Sequence, residues 1–486
     1  MDQIVGIKDI VLILPIIALF VISLLPLTIK LMNNNQEQRS HATLLQGLIG
    51  VLFALVFIGI QSSGANVLAF DTAFIFDGIN RWLSLLIVTI GGATLFLSHS
   101  NINTKGEQFS EHTFLILNAM IGMLILSASS DLIVTFIGLE IMSLALYVLV
   151  AQSKEQVIAK EAAFKYFILG SLASAMFLYG IALIYGSSGT TYIPDIAKIA
   201  PELLQSDVIF SIGSILLLAG LLFKVSIFPF HAWTPDVYQG APTPVTAFMS
   251  TGVKVATFAF LLRMFSIGMF AENDTVFYII QWLAVLTILV GNIGAIVQSN
   301  LKRMLAYSSV AHSGYVLVGV LVLAANPKDG LSIAAAMYYL LTYVIVNIGA
   351  FAIINLFEKS EEKQVTIEDL SGLASERPIL SFVFALFMLS LAGIPPLAGF
   401  FGKFFIFAAA VQYGFYWVAI WGVLGSVISV YYYLRPVIHM YMKDVDQKIE
   451  VMKQELSYIA ITICVILILV AGVLSTKFLS TIQAAL

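Results

Sequence analysis

Long apolar stretches recur from one end of this sequence to the other, and few folds accommodate them. Each is about 18 residues or longer, the length that an α-helix needs to cross a bilayer. Because the backbone finds no water there, the chain must satisfy its amides within helices. About 14 spans with short connections are predicted: 10–31, 44–61, 80–99, 112–129, 131–151, 160–186, 208–228, 241–266, 276–298, 301–324, 331–357, 379–411, 413–442 and 457–479.

The composition agrees with a polytopic membrane protein and excludes several other classes. Of 486 residues, 60% are hydrophobic and 11% are charged, which excludes an ordinary soluble domain. The net charge of -4 gives no electrostatic basis for nucleic-acid binding. The one cysteine, Cys464, excludes a disulfide framework, a cysteine-bound zinc site and an iron–sulfur cluster held by this chain. The sequence contains no nucleotide-binding motif. Its first apolar run is expected to be a transmembrane span and not a cleaved signal peptide. The sequence therefore predicts an all-α membrane protein.

The distribution of lysine and arginine predicts the orientation of the chain. With the N-terminus outside, the outside segments carry Lys8, Lys198, Arg263, Lys328 and Lys477. The inside loops carry many more cations: Lys30, Arg39, Lys105, Lys154, Lys160, Lys302, Arg303, Lys359, Lys363, Arg377, Lys443, Lys448 and Lys453. Since cytoplasmic loops carry the excess of positive charge, both termini are expected to be periplasmic.

Three lysines and one carboxylate lie deep inside long apolar segments: Lys224, Lys254, Lys403 and Glu140. A charge at the bilayer centre costs about 2.5 to 3.5 kcal/mol. The favourable insertion energy of one apolar helix offsets the cost of one such charge, so the chain still inserts. Charges kept at this energetic cost indicate a function. Intramembrane ionisable groups usually mark an ion or proton path. The alternatives are a static ion pair that locks two helices and lysines that extend to the interface.

Prolines interrupt two of the predicted spans, each close to a lysine. Pro229 follows Lys224, and Pro395 and Pro396 precede Lys403. Breaks at membrane depth survive only against protein or a water-filled cavity, and corresponding breaks in two halves indicate an inverted repeat. Broken helices 7 and 12 predict two inverted five-helix repeats. The expected domains are 1–111 with helices 1–3, 112–266 with helices 4–8, 267–442 with helices 9–13, and 443–486 with helix 14.

Five segments carry a family resemblance that covers nearly the whole chain: GLEIMSLALYVLV, EAAFKYFILGSLASA, FKVSIFPFHAWTPDVYQGAPTPVTAFMSTGVKVATF, LKRMLAYSSVAHSGY and LAGIPPLAGFFGKFF. They resemble the antiporter-like membrane subunits of respiratory complex I, which are similar to Mrp-type cation/proton antiporter subunits. Lys403 stands where the subunit M type carries glutamate, and the chain ends at Leu486 without the long lateral helix of the subunit L type. The resemblance is therefore nearest to the subunit N type of bacterial NADH-quinone oxidoreductase.

The resemblance implies a proton relay through six residues: Glu140, Lys165, Lys224, Lys254, His312 and Lys403. In this relay Glu140 and Lys165 would form an acid–lysine pair, Lys224 would be the central lysine and Lys254 a bridge. Lys403 would exchange protons with the outside. His312 has Ser308 and Ser309 one turn away, which suits water-linked proton transfer, but a satisfied core histidine has the same pattern.

The implied function is proton translocation in complex I, driven by redox chemistry in other subunits. NADH, flavin, iron–sulfur clusters and quinone would belong to those subunits, and this chain would bind no cofactor or metal. Its expected partners are the antiporter-like and quinone-module membrane subunits and the lipid of a bacterial inner membrane. An Mrp-type antiporter subunit and a purely structural scaffold are the competing hypotheses.

The sequence also singles out the HAWTPD segment and Arg435. His231, Trp233, Thr234 and Asp236 in HAWTPD either cap a helix structurally or bind water at the inside entrance, and the structural role is favoured. Arg435 is expected to neutralise an acid of a neighbouring subunit.

Overall fold

The computed structural model describes residues 6–32, 36–61, 67–104, 109–152, 157–270, 273–358, 364–444, 451–452 and 454–486. Six cations of the predicted inside loops lie outside the described residues: Lys105, Lys154, Lys359, Lys363, Lys448 and Lys453.

The described residues are almost entirely helical. The first twelve α-helices are α1 (Ile7–Leu12), α2 (Leu14–Met32), α3 (Gln36–Ile60), α4 (Gly78–Thr104), α5 (Phe109–Ala128), α6 (Leu132–Val150), α7 (Val157–Ser188), α8 (Ile193–Ser206), α9 (Val208–Lys224), α10 (Trp233–Gly240), α11 (Thr243–Phe248) and α12 (Lys254–Ser266). A π-helical turn, Met249–Val253, joins α11 to α12. A small antiparallel hairpin precedes α4 and consists of β1 (Val67–Ala69) and β2 (Phe74–Phe76).

The other helices are α13 (Asp274–Ile296), α14 (Leu301–Ala325), α15 (Gly330–Phe357), α16 (Leu373–Glu376), α17 (Pro378–Ala392), α18 (Ala398–Gln412), α19 (Tyr416–Met442), α20 (Glu455–Val473) and α21 (Ser475–Ala484). A short 3-10 turn, Glu368–Leu370, lies with α16 in the polar link before α17, where the sequence predicts a surface loop with a short helix.

Among the described residues, 12 helices are long and apolar enough to cross a membrane. They match twelve of the predicted spans, with α11, the π turn and α12 counted as one. The two other predicted spans, 208–228 and 379–411, correspond to α9 and to the pair α17 and α18, which are shorter because they adjoin breaks. The prediction of an all-α polytopic membrane protein is confirmed.

Helix α8 was not predicted. It turns one face inward through Ile193, Ile196 and Ala200, while Asp195 and Lys198 pair at 2.7 Å on its solvent side. It meets α9 at 117°, so it does not continue that span. A short amphipathic helix of this kind is typical of the membrane interface.

The first predicted break is confirmed, but it lies at Lys224 rather than at Pro229. Helix α9 ends at Lys224, and Ser226 has a φ of 60°, which a right-handed helix cannot continue. The indole nitrogen of Trp233 then donates to the Phe223 carbonyl at 3.1 Å. This bond satisfies one of the carbonyls that the end of a helix leaves without a partner.

The second break is confirmed between α17 and α18. Gly393 ends α17 with a φ of 87°, the left-handed conformation that glycine adopts readily. A Cβ at this position would lie 3.1 Å from the Cδ and 3.3 Å from the Nζ of Lys403. Glycine therefore serves both the turn and the close approach of the lysine.

The most buried helices occupy the centre of the molecule. Every residue from Thr243 to Phe265 is buried, and 94% of the most apolar 18-residue stretch is buried in α14 and in α15, against 22% in α2. Lys254 and His312 lie on two of these central helices. The four domains proposed from the sequence, and the inversion of the second repeat, stay predictions.

Candidate functional site

Lys224 is the last residue of α9, and its ammonium is enclosed by protein. The side chain is 2% exposed, which contradicts the alternative of a lysine that extends to the interface. Its Nζ donates to the Ser143 hydroxyl at 2.8 Å and lies 3.5 Å from the Tyr147 hydroxyl. The Phe223 and Tyr147 rings lie 5.6 and 5.5 Å from it. These contacts stabilise a desolvated ammonium, as does its place at the negative end of α9.

Glu140 lies one turn before Ser143 on α6 and belongs to the same site. It is half-buried, accepts a hydrogen bond from the Ser174 hydroxyl of α7, and is near enough to Lys224 for their charges to interact. The deep carboxylate is therefore a neighbour of the central lysine.

The predicted ion pair between Glu140 and Lys165 is wrong for this conformation. The Lys165 ammonium instead pairs with Glu161 and with Asp236, each at 2.7 Å. Ser174, the partner of Glu140, lies nine residues beyond Lys165 on α7, a rise of about 13.5 Å along the helix axis. Helical side chains lean toward the N-terminus, which directs Lys165 to Glu161 and away from Glu140.

Lys254 begins α12 directly after the π turn, a local widening that is frequent at functional sites. It is 2% exposed, and its Nζ donates to the backbone oxygen of Ser309 and, at 2.5 Å, to the Ser309 hydroxyl. The Tyr343 hydroxyl donates to the same serine oxygen at 2.8 Å. A lysine and a tyrosine therefore converge on one hydroxyl.

His312 is hydrogen-bonded through both ring nitrogens. Its Nδ1 lies 2.6 Å from the Tyr339 hydroxyl, and its Nε2 lies 3.0 Å from the Tyr433 hydroxyl. The Tyr433 hydroxyl also bonds to the Ser308 hydroxyl. A neutral imidazole donates through one nitrogen and accepts through the other, so this arrangement suits a core histidine and a proton relay equally.

Lys403 lies on α18 beyond the second break and reaches back to the end of α17. Its Nζ donates to the carbonyls of Leu391 and Ala392, both at 3.0 Å, and to the Ser426 hydroxyl at 2.9 Å. The Tyr315 ring centroid is 5.2 Å away. The two carbonyls stand at the negative end of α17, where they favour a cation. The break therefore supplies the acceptors that make a buried ammonium tolerable.

The six predicted site residues fall into separate clusters. Glu140 and Lys224 share one cluster, Lys254 and His312 lie among the hydroxyls of α14 and α15, and Lys403 is beside Tyr315. Within the described part of the chain, Lys224 and Lys254 share no hydrogen-bond partner. Lys165 lies apart from all of these.

The sequence prediction named Ser309 beside His312 but did not connect it to Lys254. It missed five other hydroxyls that hold the lysines and the histidine: Ser143, Tyr147, Tyr339, Ser426 and Tyr433. One signal existed, because Glu140, Ser143 and Tyr147 recur at helical spacing on one face of an otherwise apolar span. Tyr339 and Tyr433 carried no such signal among the many aromatic residues.

In the HAWTPD segment, Trp233 and Thr234 make hydrogen bonds that hold the end of α9, the structural role that the sequence favoured. Trp233 bonds to Phe223, and the Thr234 hydroxyl donates to the Ser226 hydroxyl at 2.6 Å. Asp236 has ion pairs instead, with Lys165 and with Arg303 at 2.6 Å. In the described structure the Nδ1 of His231 is buried without a hydrogen-bond partner.

Arg435 has hydrogen-bond partners within the chain, and its pairing with an acid of a neighbouring subunit stays a prediction. Its Nη1 donates to the carbonyls of Ile296 and Gln298 at 2.7 and 3.0 Å. These carbonyls stand at the C-terminal end of α13, where a cation is favourable. Elsewhere in the described residues, no three His, Cys, Asp or Glu side chains come together as a metal site.

Two broken helices, each with a buried lysine whose ammonium lies at the C-terminal end of a half-helix, define an antiporter-like membrane subunit. Residues 129–429 match the family described as NADH:quinone oxidoreductase/Mrp antiporter, TM. A protein of Bdellovibrio bacteriovorus named NADH-quinone oxidoreductase subunit N is 47% identical over 482 residues, 99% of each chain. The chain belongs to the NADH-quinone oxidoreductase subunit N family, as the sequence resemblance predicted.

Solved structures agree with this placement. Respiratory complex I from Thermus thermophilus with bound aureothin contains a chain that is 31% identical, with a TM-score of 0.79 over 96% of this chain and 98% of that one. The Mrp complex from Dietzia contains a chain with a TM-score of 0.81 at 20% identity, over 99% of this chain and 97% of that one. The second likeness shows a shared fold alone.

Proposed function

We propose that this chain is the proton-translocating subunit N of an NADH-quinone oxidoreductase and that it passes protons through the buried lysines. One observation carries the proposal: the ammonium groups of Lys224, Lys254 and Lys403 each donate to a serine hydroxyl. A hydroxyl accepts one hydrogen bond while donating another, so it can take a proton and pass it on. A purely structural cation would need acceptors alone.

The first half of the path is the group around Lys224. Ser143 accepts from Lys224 and in turn donates to the carbonyl of Leu139, the residue directly before Glu140. Glu140 is the acid closest in sequence to this contact, and its charge stabilises a proton on Lys224. When that charge is neutralised or screened, the lysine loses its stabilising neighbour and the proton can move onward.

The second half is lined by hydroxyls from three helices. Ser309 joins Lys254 to Tyr343, and the His312 ring lies 5.0 Å from the Tyr343 ring, between centroids. From His312 the hydroxyls of Tyr339 and Tyr433 lead toward Tyr315, whose ring lies under Lys403. In this proposal Lys403 is the terminal lysine that exchanges protons with the periplasm.

The energy for transport must come from neighbouring subunits. Moving one proton against 100 mV costs about 2.3 kcal/mol. NADH, flavin, iron–sulfur clusters and quinone would reside in those subunits, and this chain would bind none of them. A signal from a neighbour acts strongly here, because charges interact over longer distances in a protein interior than in water. The proposed location is a bacterial inner membrane, with both termini in the periplasm.

Purification from native membranes tests the proposal. The chain, tagged and extracted in mild detergent, should bring down an assembly that contains flavin and iron–sulfur clusters and reduces quinone with NADH. An assembly without redox centres that exchanges sodium for protons would instead show an Mrp-type antiporter and would contradict the proposal.

A further inference from the structure

Asp236 binds two cations that come from different parts of the fold. Its Oδ2 accepts from the Lys165 ammonium of α7 at 2.7 Å, and its Oδ1 accepts from Nη1 of Arg303 on α14 at 2.6 Å. Asp236 itself lies on α10, between α9 and the span that starts at Thr243. This Asp236 bridge therefore links α7, in the predicted first repeat, to α14, in the predicted second repeat.

The bridge holds the Lys165 ammonium away from the Glu140 site. Glu140 bonds to Ser174, whereas Lys165, nine residues nearer the start of the same helix, bonds to Asp236 and Glu161. In this conformation the Lys165 ammonium therefore makes no hydrogen bond with the carboxylate that acts on Lys224. A lysine arm is flexible, and release from Asp236 would let it swing toward Glu140.

The two cations of the bridge differ in how firmly they are held. Lys302, next to Arg303, donates to the Ala241 carbonyl at 2.7 Å and pairs with Glu358 at 3.2 Å. Glu358 also accepts from Thr243 at 2.5 Å, so the start of α14 is fixed by buried contacts. Lys165, with 39% of its side chain exposed, is the movable member.

Asp236 is ionised at all pH values at which such an enzyme works. Burial acts to raise the pKa of its carboxyl, but the hydrogen bonds from Lys165 and Arg303, and the charges of both, outweigh burial and hold that pKa below its ordinary value. The Asp236 carboxylate is therefore always charged, and the strength of the bridge depends on where its two cations stand.

We propose that Asp236 is the anchor that holds Lys165 away from Glu140, and that Arg303 sets the strength of this anchor from the other half of the molecule. Because Arg303 is held in place on α14 and shares the carboxylate with Lys165, a displacement of Asp236 on α10 that keeps the Arg303 contact weakens the hold on Lys165. The released ammonium approaches Glu140 and repels the ammonium of Lys224. Asp236 is thus a positioning residue that couples the two halves. The proposal rests on the proposed function and names a control element of the same path.

Four variants in the assembled complex test the anchor: Asp236→Asn, Asp236→Glu, Arg303→Gln and the double variant Asp236→Asn/Arg303→Gln. Asp236→Asn and Arg303→Gln should each lower NADH:quinone turnover roughly two- to five-fold, the range that one partly exposed ion pair allows. Asp236→Glu should retain most of the activity, since it keeps the charge. The double variant should match Asp236→Asn, because Arg303 acts through Asp236.

Two readouts separate anchoring from a merely structural role. The loss in Asp236→Asn should be the same factor from about pH 6 to 8, since the carboxyl does not titrate in that range. A cryo-EM structure of the assembled Asp236→Asn complex should show the Lys165 side chain displaced toward Glu140. In the Asp236→Glu control the Lys165 ammonium should remain paired with the carboxylate at position 236.

The anchor is overturned if Lys165 keeps its position in Asp236→Asn, or if the two single losses multiply in the double variant. If Asp236→Asn does not assemble, Arg303→Gln decides alone, and normal turnover in that variant overturns the anchor. Either result leaves the proposed function standing as long as Lys224→Ala still stops proton pumping. Normal proton pumping by the Lys224→Ala variant would instead contradict the proposed function itself.

Discussion

The hydroxyl of Ser143 accepts a hydrogen bond of 2.8 Å from the ammonium of Lys224. The same hydroxyl donates to the Leu139 carbonyl, so its orientation is fixed and its lone pair is directed at the lysine. Because hydrogen bonds to charged groups are among the stronger ones, this contact makes Ser143 part of the lysine site.

Ser143→Ala is expected to lower proton pumping on the order of ten-fold, the equivalent of one hydrogen bond to a charged group. The alanine removes the acceptor and adds no bulk, so the complex should assemble. Acridine-dye quenching in inverted vesicles measures the pumping. Ser206→Ala is the matched control, since Ser206 donates to the Glu202 carbonyl on the exposed helix α8 and should pump normally. Equal pumping in both variants would show that Ser143 has no part in transfer.

Glu140 offers a test of charge against shape. Glu140→Gln keeps the side-chain volume but removes the charge that acts on Lys224, whereas Glu140→Asp keeps the charge on a shorter arm. The glutamine variant should therefore impair turnover much more, by roughly ten-fold or greater relative to the aspartate variant. The comparison uses NADH:quinone reductase rates normalised to assembled complex. Equal activity in the two variants would make Glu140 a packing residue.

Tyr433 and Tyr432 are neighbours in the sequence, and both are 0% exposed, but only one hydroxyl touches the histidine. Tyr433 bonds to His312, whereas the Tyr432 hydroxyl donates to Asn292 at 3.0 Å. Tyr433→Phe should lower pumping about five- to ten-fold by removing one hydrogen-bonded step. Tyr432→Phe, which removes a hydroxyl of equal burial that makes no hydrogen bond with His312, should pump nearly normally. Equal losses in the two variants would indicate that both tyrosines are structural.

The sequence predicts the spans and the buried charges because both follow from bilayer physics. Apolar runs have to be helices, and Lys224, Lys254 and Lys403 stand out against them. The breaks were predicted from proline, and both are found. Their positions shifted, since the backbone at Ser226 and Gly393 ends each half-helix before the prolines are reached.

Side-chain partners could not be predicted, because they depend on which helices pack together. Lys165 pairs with Asp236, which is 71 residues away, and not with Glu140. Arg435 binds the end of α13 through carbonyls, a partner that every residue type offers and that no residue pattern marks. The π turn before Lys254 is likewise a product of packing among fully buried helices.

The proposed inversion of the second repeat predicts access from opposite sides of the membrane. In a Cys464→Ala background, cysteine at Ser426, whose hydroxyl lies 2.9 Å from Lys403, should react with a membrane-impermeant maleimide added from the periplasm. Cysteine at Ala232, in the exposed part of HAWTPD, should react from the cytoplasm. Labelling of both from one side would contradict the inverted arrangement and the role of Lys403 as the exit lysine.

Proton pumping by Lys224→Ala is the most direct test of the account. The variant should assemble, since the alanine removes a buried charge, and it should lose pumping on the order of 10²-fold, as expected when a proton-transferring group is removed. Lys224→Arg should rescue poorly, because arginine does not release its proton. Lys198→Ala, on the exposed face of α8, should pump as the natural protein does. An assembled Lys224→Ala complex that pumps normally would contradict the central role of this lysine.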